Sequence, residues 1–599
     1  MARLSCYAMA PAAVLAMFLT AARAAQDGLI LSGARAVHED VLAVVPRDAV
    51  EVVVFRHLDQ LNAKVQQLGR LVQAPIPDLL EQFKAASGLK DGLDAAGSAA
   101  ILVMPGAEAG AAPVPVLLLP VTDYGKLVEQ LKPEKPDGKI VEVQVMRGEF
   151  LMAQRGSYAV FAEQRHRAIL EKVLAAKKNL AEDLTSLKPW LAENDIASVT
   201  TAPGIKLFVA AAQKQLAAVK AVLGGMGKQG AQAMAAFVVY DQILAAADKE
   251  VRLLAVGARI SRQGEIRVRS RVQFLSGGEA ARSLATVEPP TANLLSGLPD
   301  EPFVMALGSV VPKAMFDFSF DLMKKMPKLY GLSDEQIDKL AEASRDSVRQ
   351  LRQFSVILGV GKPGAPLYSH MLMSFQADDA REYLVDYQKF AQQSNKIVGE
   401  TTGTLLPKVE VKKIEVDDKP ALQLTMTMPS AGTQAIPNYA ALMEKMFGPG
   451  GRMVAYIVAA DAHTVLLGYT DQELLRKALK DVGQPAAQLA AQPAVSKTLA
   501  ALLPKAQVVA CFSPQGCVSF VSQAMTTFLP PGLPLPKIPE FPRTPPIGLA
   551  AKAADGEVQV ELLVPAAVIR AIGTYVTKVR QGTAVVPPPA QLESKPAEK

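Results

Sequence analysis

The feature that most constrains this chain is a pattern that comes back along it. A β-rich segment recurs four times, as Asp48–Phe55 (DAVEVVVF), Pro203–Ala210 (PGIKLFVA), Glu301–Gly308 (EPFVMALG) and Lys505–Phe512 (KAQVVACF). Each is followed by a helical pattern and then by a pair of strands with a turn between them: Ala99–Pro120, Val251–Phe274, Phe354–Phe375 and Gly548–Val564. The exits from these pairs also match. Thr122-Asp123-Tyr124, Gly277-Gly278-Glu279, Ala377-Asp378-Asp379 and Pro565-Ala566-Ala567 each place small, acidic or proline residues where a helix begins. Self-similarity of this kind marks a supersecondary unit that buries its apolar face only against its neighbours.

The unit reads strand, helix, strand, strand, helix. The first and third copies are longer: Ile140–Glu163 and Met453–Tyr469 add a second hairpin, closed by the helical runs Arg165–Leu174 and Asp471–Leu479. The expected organisation is a lead-in at 25–44, a first half at 45–290 (long unit 45–185, short unit 190–290), a second half at 298–580 (long unit 298–485, short unit 495–580) and a disordered tail at 581–599. Val52-Val53-Val54-Phe55 and Val116-Leu117-Leu118-Leu119 are apolar at successive positions, so they want cover on both faces. The helices are one-faced. After Ser333, the residues Ile337, Leu340, Val348 and Leu351 form one stripe, and Ser333 with Gln336 makes a capping box. The expected fold class is therefore α+β: tandem strand-helix-strand-strand-helix units, largely antiparallel sheets covered by helices.

Residues 1–24 read as a secretory signal peptide. Arg3 is the positive end, Tyr7–Thr20 the apolar stretch, and Ala22-Arg23-Ala24 a small-x-small cleavage site. The apolar run is too short to span a bilayer and Gln26 and Asp27 follow it at once, so no transmembrane anchor is expected after cleavage before Ala25. The expected compartment is the periplasm or the cell exterior.

Composition suits a folded product, with half the residues apolar and a fifth charged. The formal charge of +6 falls to +4 once Arg3 and Arg23 leave with the leader, and basic residues lie among acids, so no nucleic-acid partner is expected. Cys6 also leaves. Cys511 and Cys517 then remain with Ser513, Pro514 and Gly516 between them, a spacing that suits a disulfide closing a small loop in an oxidising compartment. The alternative is two buried thiols.

No constellation rises to a catalytic, cofactor or metal signature, so none is assigned. Gly359-Val-Gly361-Lys-Pro-Gly364 has the letters of a dinucleotide fingerprint, but the following residues read as the return strand of a hairpin rather than a helix. The five histidines, His38, His57, His166, His370 and His463, are scattered. Trp190 reads as packing at a unit junction, and the apolar stretch Gly230–Ala247 as a buried helix rather than a membrane contact. The proline-rich Pro530–Pro546 reads as an extended connector.

The strand starts after Val45-Pro46-Arg47-Asp48-Ala49 and Leu298-Pro299-Asp300-Glu301-Pro302, with the endings Tyr158–Ala162 and His463–Gly468, resemble those of large, Ala-rich exported proteins of planctomycete-type bacteria that carry a repeat domain of unassigned function. The resemblance implies compartment and architecture, and no site residues. The leading functional expectation is an exported, non-enzymatic scaffold or binding protein whose partner is a protein or an apolar small molecule. The alternatives are a hydrolase whose site assembles only in three dimensions, and an apolar-ligand or lipid carrier.

Overall fold

The computed structural model describes residues 40–108, 111–145, 148–225, 227–312, 332–362, 364–399, 408–427, 439–470, 472–528 and 538–583. The leader, His38, the tail beyond 583 and most of the first half of Pro530–Pro546 lie outside the described residues. The chain divides into two compact units. One holds residues 1–70 and 74–198, the other 71–73 and 199–599. Both are α+β.

In the first unit the strands are β1 (Glu51–Phe55), β2 (Ala99–Met104), β3 (Val114–Pro120), β4 (Val141–Val145), β5 (Gly148–Arg155) and β6 (Tyr158–Glu163), with β7 (Ile196–Thr201) crossing the boundary. They pair antiparallel in the order β4-β5-β6-β3-β2-β1. Position in that order explains the sequence pattern. Central β6 is buried at nearly every residue, whereas β4 at the edge alternates strictly between buried and exposed side chains. The helices Leu58–Leu71, Leu79–Ser87 and Tyr124–Leu131 supply Leu58, Leu80, Phe83 and Leu127 to a core shared with Leu119, Val143, Met152 and Phe161 of the sheet.

The second unit contains β8 (Val251–Ile260), β9 (Ile266–Phe274), β10 (Phe303–Val310), β11 (Leu351–Gly359), β12 (Met371–Ala377), β13 (Lys408–Val416), β14 (Lys419–Thr427), β15 (Met453–Ala459), β16 (Thr464–Tyr469), β17 (Val508–Phe512), β18 (Ile547–Ala554) and β19 (Glu557–Val564). Their antiparallel order is β8-β9-β19-β18-β17-β10-β11-β12-β16-β15-β14-β13. One face over β10, β11, β12, β15 and β16 buries Ala306, Ile357, Leu372, Val458 and Leu466 beneath Leu295, Leu298 and the helix Gln472–Asp481. β13 ends the sheet as an exposed strand whose Lys408, Lys412 and Lys413 discourage further pairing.

The four expected strand pairs are all antiparallel hairpins, and the Ser333–Gln336 capping box forms at the start of the helix Asp334–Arg349. Asp123 caps the helix Tyr124–Leu131, and Asp379 accepts from the backbone of Arg381 and Glu382. One expected strand start is corrected. Pro203–Ala210 is helix, part of Ala202–Gly224, and the strand there is β7 just before it. Proline is well placed in the first helical turn, and the alanines that follow favour helix over strand. The hairpin β13–β14 was not anticipated from sequence.

Candidate functional site

An open cleft of about 360 Å³ lies in the second unit. Its first wall is the segment 293–298. Leu295 and Leu298 are fully buried anchors, and the residues between them, Ser296 and Gly297, are left at the cleft. The Asn293 side chain accepts from the Leu295 amide at 2.9 Å, and the Ser296 hydroxyl donates to the Asn293 carbonyl at 2.6 Å, which locks the turn. Two glycines let this segment lie flat on the sheet. A Cβ on Gly308 would stand 1.9 Å from the Leu294 carbonyl oxygen, and one on Gly297, whose φ is +79°, would stand 2.2 Å from Ser374 Oγ.

Beneath the segment runs a polar row that alternation along the strands aims at one face. Gln353 and Ser355 of β11 stand opposite Gln376 and Ser374 of β12. Gln353 donates to the Asn293 carbonyl at 2.8 Å and Ser355 to the Ser296 carbonyl at 3.0 Å. Ser374 Oγ is buried with no hydrogen-bond partner among the described residues. Gln376 donates to Thr464 Oγ1 at 3.4 Å, and Asp461 holds the adjoining turn by accepting from the amides of His463 and Thr464 at 2.8 and 2.7 Å. The opposite wall is the segment 482–491. Its Gln488 accepts from the Gly297 amide at 3.2 Å and donates to the Asp481 carbonyl at 3.3 Å, so one amide ties both walls together.

The lining joins amide and hydroxyl groups on one side to the apolar Val482, Pro485, Ala490 and Ala491 on the other, with Asp461 as its one ionisable side chain. Asp481, next to the lining residue Val482, has a buried carboxylate oxygen without a hydrogen-bond partner among the described residues. Burial lifts that carboxyl above its ordinary value against the pull of Lys477. The arrangement offers donors and acceptors in fixed places, which suits recognition of an uncharged molecule rich in hydroxyl or amide groups. The Ser296 hydroxyl is spent on a backbone carbonyl, and no histidine lines the cleft.

The sequence-marked residues lie elsewhere. Cys511 is a buried residue of β17 and Cys517 sits in the first turn of the helix Pro514–Phe528, and both are free thiols. The expected disulfide is thus corrected. Pro514 opens a helix instead of a turn, so the chain does not double back between the two cysteines. Burial pushes the Cys511 thiol up to about 12 and also raises that of Cys517.

His57 Nδ1 lies 2.9 Å from the Ala96 carbonyl oxygen, His463 Nδ1 lies 2.8 Å from that of Asp378, and His166 stands beside Glu163 at 3.9 Å. His370 packs over Gly359. Gly359 ends β11 and the chain returns as β12, a hairpin and not a nucleotide-binding turn. Trp190 lies in the short helix Lys188–Glu193 of the first unit.

Gly230–Ala247 falls within the helix Gly227–Glu250, where Leu244 is buried with Ile205 and Val209. The partner helix Ala202–Gly224 is long and apolar enough to cross a membrane by length and composition, and its Leu207, Phe208, Val219 and Val222 are exposed. Among the described residues no group of three His, Cys, Asp or Glu side chains could hold a metal ion.

The cleft residues were not singled out from sequence because they belong to no motif and come from four separate segments. A second omission had a visible signal. Arginines alternate at 267, 269 and 271, the period that places them on one face of a strand. No protein-family model, curated protein or solved structure matches the chain.

Proposed function

We propose that this is an exported, non-enzymatic binding protein built from a duplicated α+β unit, and that the cleft at Asn293, Gln376 and Gln488 takes an uncharged, hydrogen-bonding small molecule. The observation that carries the reading is the cleft itself: three amide side chains and two hydroxyls line one space, on segments tied together by hydrogen bonds from Gln353, Ser355 and Gln488. Duplication is supported by strand order. The sequence β4-β5-β6-β3-β2-β1 has its counterpart in β14-β15-β16-β12-β11-β10, with β13 added outside β14. Within the second unit the hairpins β8–β9 and β18–β19 meet through their equivalent strands, β9 against β19, as a two-fold relation between copies requires.

The amide and hydroxyl groups support a polar ligand over the wholly apolar one that the aliphatic strands suggest, and Val482, Pro485, Ala490 and Ala491 would cover its carbon skeleton. Export rests on the leader. Two measurements test the reading. The intact mass of the protein recovered from its native compartment should correspond to a chain beginning at Ala25; retention of residues 1–24 in a cytosolic product would refute export. Native mass spectrometry of the same material should show a small uncharged ligand. Gln376→Leu should weaken its rebinding by about tenfold, the loss of one hydrogen bond in a desolvated site. A co-purified lipid, or turnover of the bound molecule, would overturn the assignment in favour of a carrier or an enzyme.

A further inference from the structure

The alternation Ile266-Arg267-Val268-Arg269-Ser270-Arg271 forms β9 and puts its arginines on one face. Register supplies their neighbours. Arg259 of β8 stands directly opposite Arg267, and Glu561 of β19 directly opposite Arg269. Glu561 is only 2% exposed and accepts from Arg267 Nη1 at 2.7 Å and Arg269 Nε at 3.3 Å. Arg267 also donates to Glu265 at 3.0 Å and to the Ala501 carbonyl at 2.7 Å, while Arg271 pairs with Glu557 at 2.6 Å.

One guanidinium is left over. Arg259 is exposed, has no acceptor among the described residues, and faces the like charge of Arg267 across the ladder, an arrangement that costs stability when nothing lies between the charges. Opposite Arg269 stands Gly257, which contributes no side chain to this face. A pocket of about 260 Å³ is lined by Arg259, Ser261, Glu265, Arg267 and Arg269. Its guanidinium groups outnumber the carboxylates of Glu265 and the buried Glu561 by one. A ladder of ion pairs that only fastened β9 to β19 would account for Arg267, Arg269 and Arg271. It would not account for Arg259 or for the space in front of it.

We infer that this pocket is an anion site, separate from the polar cleft, in which Arg259 with Arg267 and Arg269 holds a compact oxyanion, a phosphate or carboxylate group. Guanidinium forks match both groups in a bidentate manner, and Glu561 keeps Arg267 and Arg269 in place before the anion arrives. Isothermal titration calorimetry of the full mature protein at low ionic strength, with inorganic phosphate and with succinate as probes, tests the inference. At least one should bind, and the preferred probe identifies the class of group.

Arg259→Gln should weaken binding by about tenfold or more, the cost of losing a charge-assisted contact. Without ligand the same variant should melt no lower than the wild type, because it removes a repulsion. Arg570→Gln, an exposed control on the helix Ala566–Thr583, should bind as the wild type does. The inference falls if the wild type binds neither probe in the millimolar range, if Arg259→Gln binds unchanged, or if Arg570→Gln weakens binding equally, which would mean diffuse attraction only.

Discussion

At the scale of single residues, Glu561 is the most deeply buried carboxylate among the described residues of the second unit. It lies almost fully out of water and is compensated by two arginines of the neighbouring strand. Removing the carboxylate takes from Arg267 and Arg269 the buried counter-charge they share and leaves Glu265 to Arg267, so Glu561→Ala should lower stability by about 3 kcal/mol in urea unfolding. A loss under half that would mean that water reaches the pair freely.

The cysteines make a second prediction. Cys511 is buried with its thiol raised to about 12, whereas Cys517 is half-buried. Iodoacetamide should therefore label Cys517 in the native protein and Cys511 only after unfolding, as peptide mass spectrometry would show. Failure to label either cysteine after unfolding without reductant would instead reveal a disulfide. Chain spacing alone could not decide this. Five intervening residues are compatible with a closed loop or with a helix start, and the pairing of β17 with β10 and β18 settles which of the two the backbone adopts.

At the scale of elements, much of the structure answers to local chemistry. Asp78 caps the helix Leu79–Ser87, accepting from the Leu80 and Glu81 amides at 3.1 and 2.9 Å and from the side chains of Asn62 and Gln66. Burial pushes this carboxyl up, but the four hydrogen bonds outweigh it and leave it below its ordinary value of 3.8. A depressed carboxyl stabilises the fold at pH above the unfolded value, and that contribution is lost as pH falls through the lower folded value. Asp78→Ala should thus cost about 1 kcal/mol at neutral pH, and the gap to the wild type should narrow below pH 4. A gap independent of pH would show that packing, not the charge, is what the cap supplies.

Gly308 makes the complementary case, since nothing about its own strand demands glycine. The need comes from Leu294, whose backbone lies against it. Gly308→Ala should destabilise the second unit by about 2 kcal/mol and weaken ligand retention in the cleft, because the segment 293–298 must lift. An unchanged melting temperature would refute that close approach. The misread strand at Pro203–Ala210 has the same lesson in reverse: an apolar run of eight residues fits strand or helix, and the alanines beyond it decide.

At the scale of the whole molecule, the sequence by itself determined four of the hairpins, β2–β3, β8–β9, β11–β12 and β18–β19, and several helix starts. These depend on alternation, turn residues and caps within a few positions of one another, as at β8–β9, β18–β19 and Ser333–Gln336. Only the tertiary structure decided which hairpins lie side by side, and both candidate sites follow from that choice. The polar cleft exists because β12 pairs with β16 and the segment 482–491 returns to Leu298. The arginine pocket is lined by the β8–β9 hairpin, and the pairing of β9 with β19, nearly three hundred residues further along the chain, brings Glu561 to hold two of its arginines. Contacts of that range leave no periodic trace in the sequence. Their register is set by burial of the shared core, and a shift of one residue in the β9–β19 ladder would turn Glu561 away from its arginines.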